Sequence, residues 1–347
     1  VSPGEVLNFE LHMRGIKKNA LAKRTGLTPK HISDLLSAKS SLTVETAIKL
    51  ERAIGMPVQF WMNLETEYGE ALARLAEKNR LKRDLSWLKR LPVAAMIKLG
   101  WIKKSPDPST QLVNVLEFFG IAGVDQWGAV WPGLQVAYRQ HAGKVSPEAL
   151  SAWLRRGEIE AANMECAPFD RAKFRHALDQ IRLLTCEAPE VSLPAMRAHC
   201  AQAGVAVVFV PTLPGVAASG ATRWLTPTKA LMQLSARYQT DDQLWFTFFH
   251  EAGHILLHSK KAVFLEGMNG LDPDEEDQAN QFAQNELIPS KAWDEWVKQP
   301  AITEGAVRRF AAEWQIAPGI VVGRLQHHRR WPYARGNALK QRVRLAF

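Results

Sequence analysis

Apolar positions recur at helical spacing along most of this chain, and alternate or run together over one short stretch near residue 205, so that the change of period divides it. The spacing predicts a first helix over 3–13 and a second over 17–25, with Leu21 and Ala22 inward and Gly26 closing it. A third follows over 27–36, where Thr28 suits the N-cap and Pro29 the first helical position. Two short helices joined by a glycine turn, the second opening with polar residues, describe a helix-turn-helix. Thr43 caps a fourth helix to Ile54, and Pro57 opens a fifth through Tyr68. Residues 70–90 read as a separate basic helix with Leu72, Leu75, Leu81, Leu85 and Leu88 spaced for burial, and 103–110 as a linker. The middle, 111–187, is helical. Ser146, Pro147 and Glu148 start one helix and Asp170 another, the latter with Phe174, Leu178, Ile181 and Leu184 on one stripe, while Trp127, Trp131 and Trp153 read as core. From Gly204 the period shortens: strands are predicted at 205–210, 219–225 and 230–235, as a small antiparallel sheet leading into a helix over 241–258, with 262–265 as an edge strand. Helices at 290–298, 303–314 and 318–326 complete the chain. The expected class is α+β and mostly α: an all-α N-terminal domain over 1–104, a linker and helical middle over 105–187, and a C-terminal domain with the small sheet over 188–347.

The 241–258 helix carries the chemistry. Its sequence includes His250-Glu251-Ala252-Gly253-His254, with Asp241 or Asp242 as the expected cap. Residues four apart share a helix face, so the imidazoles of His250 and His254 can grip one ion, and Glu251 is placed to take a proton from the water that ion activates. This is the H-E-x-x-H arrangement of zinc peptidases, and the expected cofactor is Zn2+. Gly253, costly inside a helix, suggests close approach of another backbone or a substrate. A third ligand is sought in the acidic start of the segment from 272 to Pro289. There Glu276 shares a face with Ala279, Asn280, Ala283 and Leu287; Glu275, on a face with Ala279 and Phe282, is the alternative. His258 continues the ligand face one turn on, as a group behind a ligand or a proton donor, and His258 or Tyr238 would stabilise an oxyanion.

These motifs, with Glu276-x-x-Ala279-Asn280-x-Phe282-Ala283 and Leu287-Ile288-Pro289 after His250-Glu251-Ala252-Gly253-His254, resemble the ImmA/IrrE-type zinc peptidases from about residue 192 onward. The resemblance implies a zincin-like fold and assigns Glu276 as third ligand. It also matches that family's upstream arginine to Arg237. The middle of the chain has no counterpart in the motif.

Charge separates the two ends. The chain's net charge is +9, and up to residue 110 there are 19 Lys and Arg against 11 Asp and Glu, with 25 against 24 beyond. A basic excess confined to the helix-turn-helix end points to a polyanion as partner for that end alone. The recognition helix would present Lys30, His31, Ser33 and Asp34 to the major groove, with Ile32 and Leu35 in the core; Lys39, Ser40 and Ser41 would reach phosphates, and Thr28 also counts among the expected DNA-binding residues. Pro3-Gly4-Glu5-Val6-Leu7, Leu21-Ala22-x-x-Thr25-Gly26-Leu27, Ile32-Ser33, Leu42-Thr43-x-Glu45-Thr46-Ala47 and Phe60-Trp61-Met62-Asn63-Leu64 resemble the HigA-type antitoxins of the Xre/Cro group over about residues 3–75. That resemblance implies a homodimer on double-stranded operator DNA, autoregulation, and a toxin partner.

Cys166, Cys186 and Cys200 are widely spaced and form no C-x-x-C pair, as expected in a reducing cytoplasm. No run of eighteen apolar residues suggests a membrane span, and the opening residues do not read as a secretory signal. Two functions fit these features. One is a DNA-binding regulator with a zinc-dependent peptidase domain that cleaves a toxin, a repressor or another protein. The other is a non-catalytic, antitoxin-like repressor whose peptidase-like domain is a sensor or toxin-binding surface.

Overall fold

The computed structural model describes residues 1–131, 146–235, 237, 239–260, 264–265 and 273–343, without the side chains of 264, 265 and 273. They form two compact units, Val1–Leu85 and Ser86–Phe347.

The first unit is all helix: α1 Pro3–Met13, α2 Lys18–Thr25, α3 Pro29–Leu36, α4 Val44–Ile54 and α5 Val58–Asp84. The helix ends follow the residues expected to make them. The Thr28 hydroxyl accepts from the His31 amide at the start of α3, and Thr43 from the Thr46 amide at the start of α4. Gly26 (φ 69°) closes α2 in the left-handed conformation that an L side chain resists. Leu7, Leu21, Ile32, Leu35, Leu50 and Trp61 form one core, which fixes α2 against α3 and leaves the outer face of α3 in solvent. One expectation fails. The fifth helix does not stop at Tyr68; α5 runs on for 27 residues. Gly69 costs about 1 kcal/mol in a helix interior, and the good helix formers on either side outweigh it. Leu72 and Leu75, expected to be buried, are 49 % and 57 % exposed, and only Leu81 of that stripe is buried. Side-chain pairs such as Glu70–Arg74 support this exposed stretch.

The second unit contains α6 Val93–Lys98, α7 Pro108–Phe119, α8 Val124–Val130, α9 Pro147–Ala162, α10 Arg171–Leu183, α11 Pro189–Gln202, β1 Val205–Val210, β2 Gly220–Thr226, β3 Lys229–Ser235, α12 Asp241–Leu257, β4 Phe264–Leu265, α13 Pro273–Leu287, α14 Ser290–Trp296, α15 Glu304–Glu313 and α16 Pro318–His327. The segment 103–110 lies inside this unit. There the Gln111 side chain accepts from the Ser105 amide (2.9 Å) and donates to the Lys103 carbonyl (3.1 Å).

The sheet order is β1-β3-β2-β4. It is mixed rather than wholly antiparallel. The short turn at Pro227 and Thr228 makes β2 and β3 an antiparallel hairpin, with Trp224 opposite Ala230; β2 also pairs antiparallel with β4. Because β2 lies on the far side of β3, β1 meets β3 alone, and the two run parallel with Val207 opposite Met232. Of the expected edge strand 262–265, residues 264–265 are paired, and 262–263 lie outside the described residues.

Alternation along β3 explains the layers. Ala230, Met232 and Leu234 join the main core with Phe248, Phe249 and Ala252 of α12 and Phe174, Leu178 and Ile181 of α10. Gln233 points the other way, donating to the Trp153 carbonyl of α9 (2.7 Å), while the Trp153 indole donates to the Val210 carbonyl (3.1 Å). The helical middle is therefore one face of this unit, and Trp127, Trp131 and Trp153 are buried as expected.

Neither Asp241 nor Asp242 caps α12. The N-cap is Thr240, without a side-chain bond, and the two carboxylates sit buried in the first turn. They receive the end of the chain instead: Asp241 Oδ1 accepts from the Gln341 amide (3.0 Å), and Lys340 pairs with Asp242 Oδ2 (2.7 Å). No helix among the described residues is long and apolar enough to cross a membrane.

Candidate functional site

Two crossing helices make the site. Gly253 faces α13, and a Cβ built there would lie 3.2 Å from the Ala279 Cα and 3.2 Å from the Phe282 ring. With Ala279 and Ala283 fully buried, small residues on both helices let the backbones come close. That contact brings Glu276 over His250 and His254. The two Nε2 atoms are 3.0 Å apart; Glu276 Oε2 lies 3.5 Å from His250 Nε2, and Glu276 Oε1 lies 3.4 Å from His254 Nε2. Among the described residues these three form the group of side chains placed to hold a metal ion, and Glu275 is not one of them.

The donor set suits zinc in a physical sense. Ligands at about 2.0–2.1 Å around a tetrahedral ion are roughly 3.3 Å from one another, and the three separations fall close to that edge. Groups behind the rings orient them. His250 Nδ1 donates to Asn280 Oδ1 (3.0 Å), which turns its Nε2 toward the site. His254 Nδ1 is 2.9 Å from His258 Nδ1. Burial pushes His254 below its ordinary value. Burial pushes Glu276 up, but the hydrogen bonds to His250 and His254 outweigh it and hold the carboxyl down at about 2. Two imidazoles and one carboxylate converge on a point where a divalent cation could be held.

Glu251 is turned to the sheet rather than to solvent. It is fully buried, and Thr222 of β2 donates to its Oε2 (2.5 Å). The strand passes so near that a Cβ on Gly220 would lie 2.4 Å from Glu251 Oε1. Tyr238 lies outside the described residues. The Arg237 guanidinium donates to the Ala217 carbonyl. Asn280, Thr222 and Gly220 received no role from sequence. Asn280 had a readable signal, since it stands one turn from Glu276 on the same face; Thr222 and Gly220 meet Glu251 only through tertiary packing.

In the first unit, Thr28, Lys30, Ser33 and Lys39 are exposed, His31, Asp34 and Ser40 are half-buried, and Ile32 and Leu35 are in the core. The Asp34 carbonyl accepts from the Lys39 amide (2.8 Å) and the Ser40 amide (3.3 Å), which ties the turn after α3 to its last turn.

Comparison with known proteins matches two separate stretches of the chain. Residues 11–61 match the helix-turn-helix family model. Virulence-associated protein I of Dichelobacter nodosus is 34 % identical over 74 residues, which are 21 % of this chain and 68 % of that protein. Antitoxin HigA-1 of Vibrio cholerae is 34 % identical over 95 residues, 27 % of this chain and 86 % of that protein. The chain belongs to the helix-turn-helix family that includes HigA-type antitoxins. Residues 200–326 match the IrrE N-terminal-like domain, a stretch that contains the sheet, α12, α13 and all three converging side chains. A solved addiction module antidote protein of the HigA family from Coxiella burnetii is 27 % identical, covering 24 % of this chain and 91 % of that chain, with a TM-score of 0.23.

Proposed function

We propose that this helix-turn-helix protein is an antitoxin-like transcriptional regulator that binds operator DNA through its first unit and hydrolyses a protein through a zinc site in its second. The observation that carries the reading is the convergence of His250 and His254 on the Glu276 carboxylate, each behind-the-ring nitrogen engaged by Asn280 or His258. His250, His254 and Glu276 would hold the ion. When bound, zinc supplies a Lewis acid for the scissile carbonyl and acidifies water. Glu251 accepts the proton of the attacking water and returns it to the leaving amine. Thr222 fixes the carboxylate for that task through Oε2. An extended substrate segment adds to the β4 edge of the sheet by main-chain hydrogen bonds. The exposed Asp274 and Asp277 beside the site disfavour a nucleic acid there. DNA is taken instead by the helix-turn-helix of the first unit, as a dimer on a two-fold operator, with Lys30, His31 and Ser33 toward bases and Thr28, Lys39 and Ser40 toward phosphates. The shared operator brings a toxin or another repressor within reach as substrate or partner.

The full burial of Glu251 favours a second reading, in which the domain is a sensor or toxin-binding surface without turnover. One experiment separates the two. Wild type should carry about one zinc per chain, Glu251→Gln should keep the metal and lose cleavage of the co-encoded partner, and His254→Ala should lose the metal. Zinc-loaded wild type that cleaves no partner, and regulates its operator as Glu251→Gln does, leaves the sensor reading. Loss of zinc in Glu251→Gln would make Glu251 a ligand and undo the mechanism.

A further inference from the structure

The near-neutral charge of the chain beyond residue 110 hides a division. The stretch 314–347 holds seven Lys and Arg and no Asp or Glu, which leaves 18 against 24 in 111–313. Part of this acid-free stretch gathers at the end of α16. His327, His328, Arg329 and Arg330 are consecutive and exposed. His327 and His328 line one groove with Arg324, Tyr333 and Lys340; Asp242 is its one acidic residue and is paired with Lys340. Burial, then the neighbouring Arg324, His327 and Arg330, push His328 below its ordinary value, with Asp294 opposing, so these cations share one neighbourhood. No carboxylate among the described residues pairs with Arg329 or Arg330.

The patch is built rather than loose. Arg329 closes α16 at φ 55°, the left-handed conformation that glycine adopts at no steric cost. Its amide donates to the Gln326 carbonyl (3.0 Å), and the Arg330 amide to the Leu325 carbonyl (2.9 Å). An arginine in a glycine's position keeps a cation there at a cost in stability. The buried Gln326 side chain ties down the next turn, donating to the Tyr333 (3.2 Å) and Arg335 (2.8 Å) carbonyls. Tyr333 is thereby held at the groove, 71 % exposed, beside the cations. A fixed aromatic ring set among cations has the two parts of single-strand recognition: a face on which an unpaired base stacks, and charges that take the flanking phosphates.

We propose that the end of α16 and the turn over 329–335 bind single-stranded nucleic acid, with a base stacked on Tyr333 and phosphates at His327, Arg329 and Arg330. A base inside a duplex offers no free face, so a duplex fits less well. The surface shares no residue with α3 or with the metal triad, and it needs neither operator binding nor hydrolysis.

Fluorescence anisotropy of the full chain with labelled DNA and RNA strands of about twelve nucleotides tests it. Tyr333→Ala should weaken strand binding about tenfold, the worth of one stacked base, and Tyr333→Trp should restore it. Arg329→Gly should raise the Tm, because glycine relaxes the turn, and yet weaken strand binding. It should also reduce the slope of log affinity against log salt by about 0.7, as for one phosphate contact on a single strand. That opposition separates a binding role from a structural one. Lys30→Ala with His31→Ala should weaken operator binding and keep strand binding. Tighter binding of the RNA or of the DNA names the source of the strand, and either supports the site. Four results would overturn the proposal: neither strand binds; a random duplex or polyglutamate displaces the labelled strand as well as unlabelled strand does; strand binding is lost with the Lys30 and His31 changes, which would place it on α3; or Tyr333→Ala and Arg329→Gly both leave the affinity unchanged.

Discussion

Asn280→Ala removes one acceptor from behind one proposed ligand. His250 is almost fully buried, and its Nδ1 proton is held by Asn280 Oδ1 at 3.0 Å. Truncation leaves that proton without its acceptor inside the fold, which costs about 1–3 kcal/mol. It also frees the ring to exchange the roles of its nitrogens, so that Nε2 presents a proton to the site instead of a lone pair. Residues that support a ligand from behind are worth about 10–100-fold in metal affinity, or roughly 1.4–2.8 kcal/mol, and the two figures agree. Zinc affinity measured by competition with a chromogenic chelator should therefore fall by about one to two powers of ten. Asn280→Asp, which keeps an acceptor and makes it anionic, should retain or raise the affinity. Circular dichroism separates this from unfolding, because α13 is held mainly by Ala279, Ala283 and Leu287. Undiminished zinc affinity in a folded Asn280→Ala protein would refute the tautomer argument and, with it, the role of His250.

Gly253→Val should destabilise the second unit by about 1–3 kcal/mol, as overpacking does, since its Cβ alone meets Ala279 at 3.2 Å; an unchanged Tm would mean that α12 and α13 are not packed as described. Burial and the neighbouring Asp242 raise Asp241 from 3.8 to about 6. The folded state thus binds this proton more tightly than the unfolded state, so the stability it contributes is full below pH 3.8 and is lost as pH rises through about 6. Asp241→Asn should flatten the fall in Tm between pH 4 and 7, and an identical slope in both proteins counts against it. Lys30→Ala with His31→Ala should weaken operator binding more than binding to random DNA; equal losses on both, read by anisotropy over a salt series, would make these residues phosphate contacts.

Local signals were legible and tertiary ones were not. Thr28, Thr43, Ser146 and Asp170 cap the helices they were expected to start, because a cap is a bond between residues three apart. The spacing of His250, His254 and Glu276 places all three on facing helix surfaces, and Gly253 marks where those helices touch. Direction in the sheet was not legible: alternation says which face a residue takes, not whether its neighbour runs parallel. Nor was the end of α5. A lone glycine weakens a helix without ending it, and a leucine stripe says what a helix offers, not whether anything covers it. Asp241 and Asp242 looked like caps because acids favour helix starts; their partners, Gln341 and Lys340, are about a hundred residues away in sequence.

The recognisable stretch, 200–326, is shorter at both ends than the body that folds. On its N-terminal side it leaves out α9, whose Trp153 closes the Val210 carbonyl; on its C-terminal side it leaves out Lys340 and Gln341, which complete the first turn of α12. A recombination event that moved only the recognisable stretch into a new gene would deliver a sheet with one bare face and a helix whose buried acids had lost their partners. The heritable module is therefore longer than its signature, and transplants or chimaeras should keep Ser86–Phe347 whole.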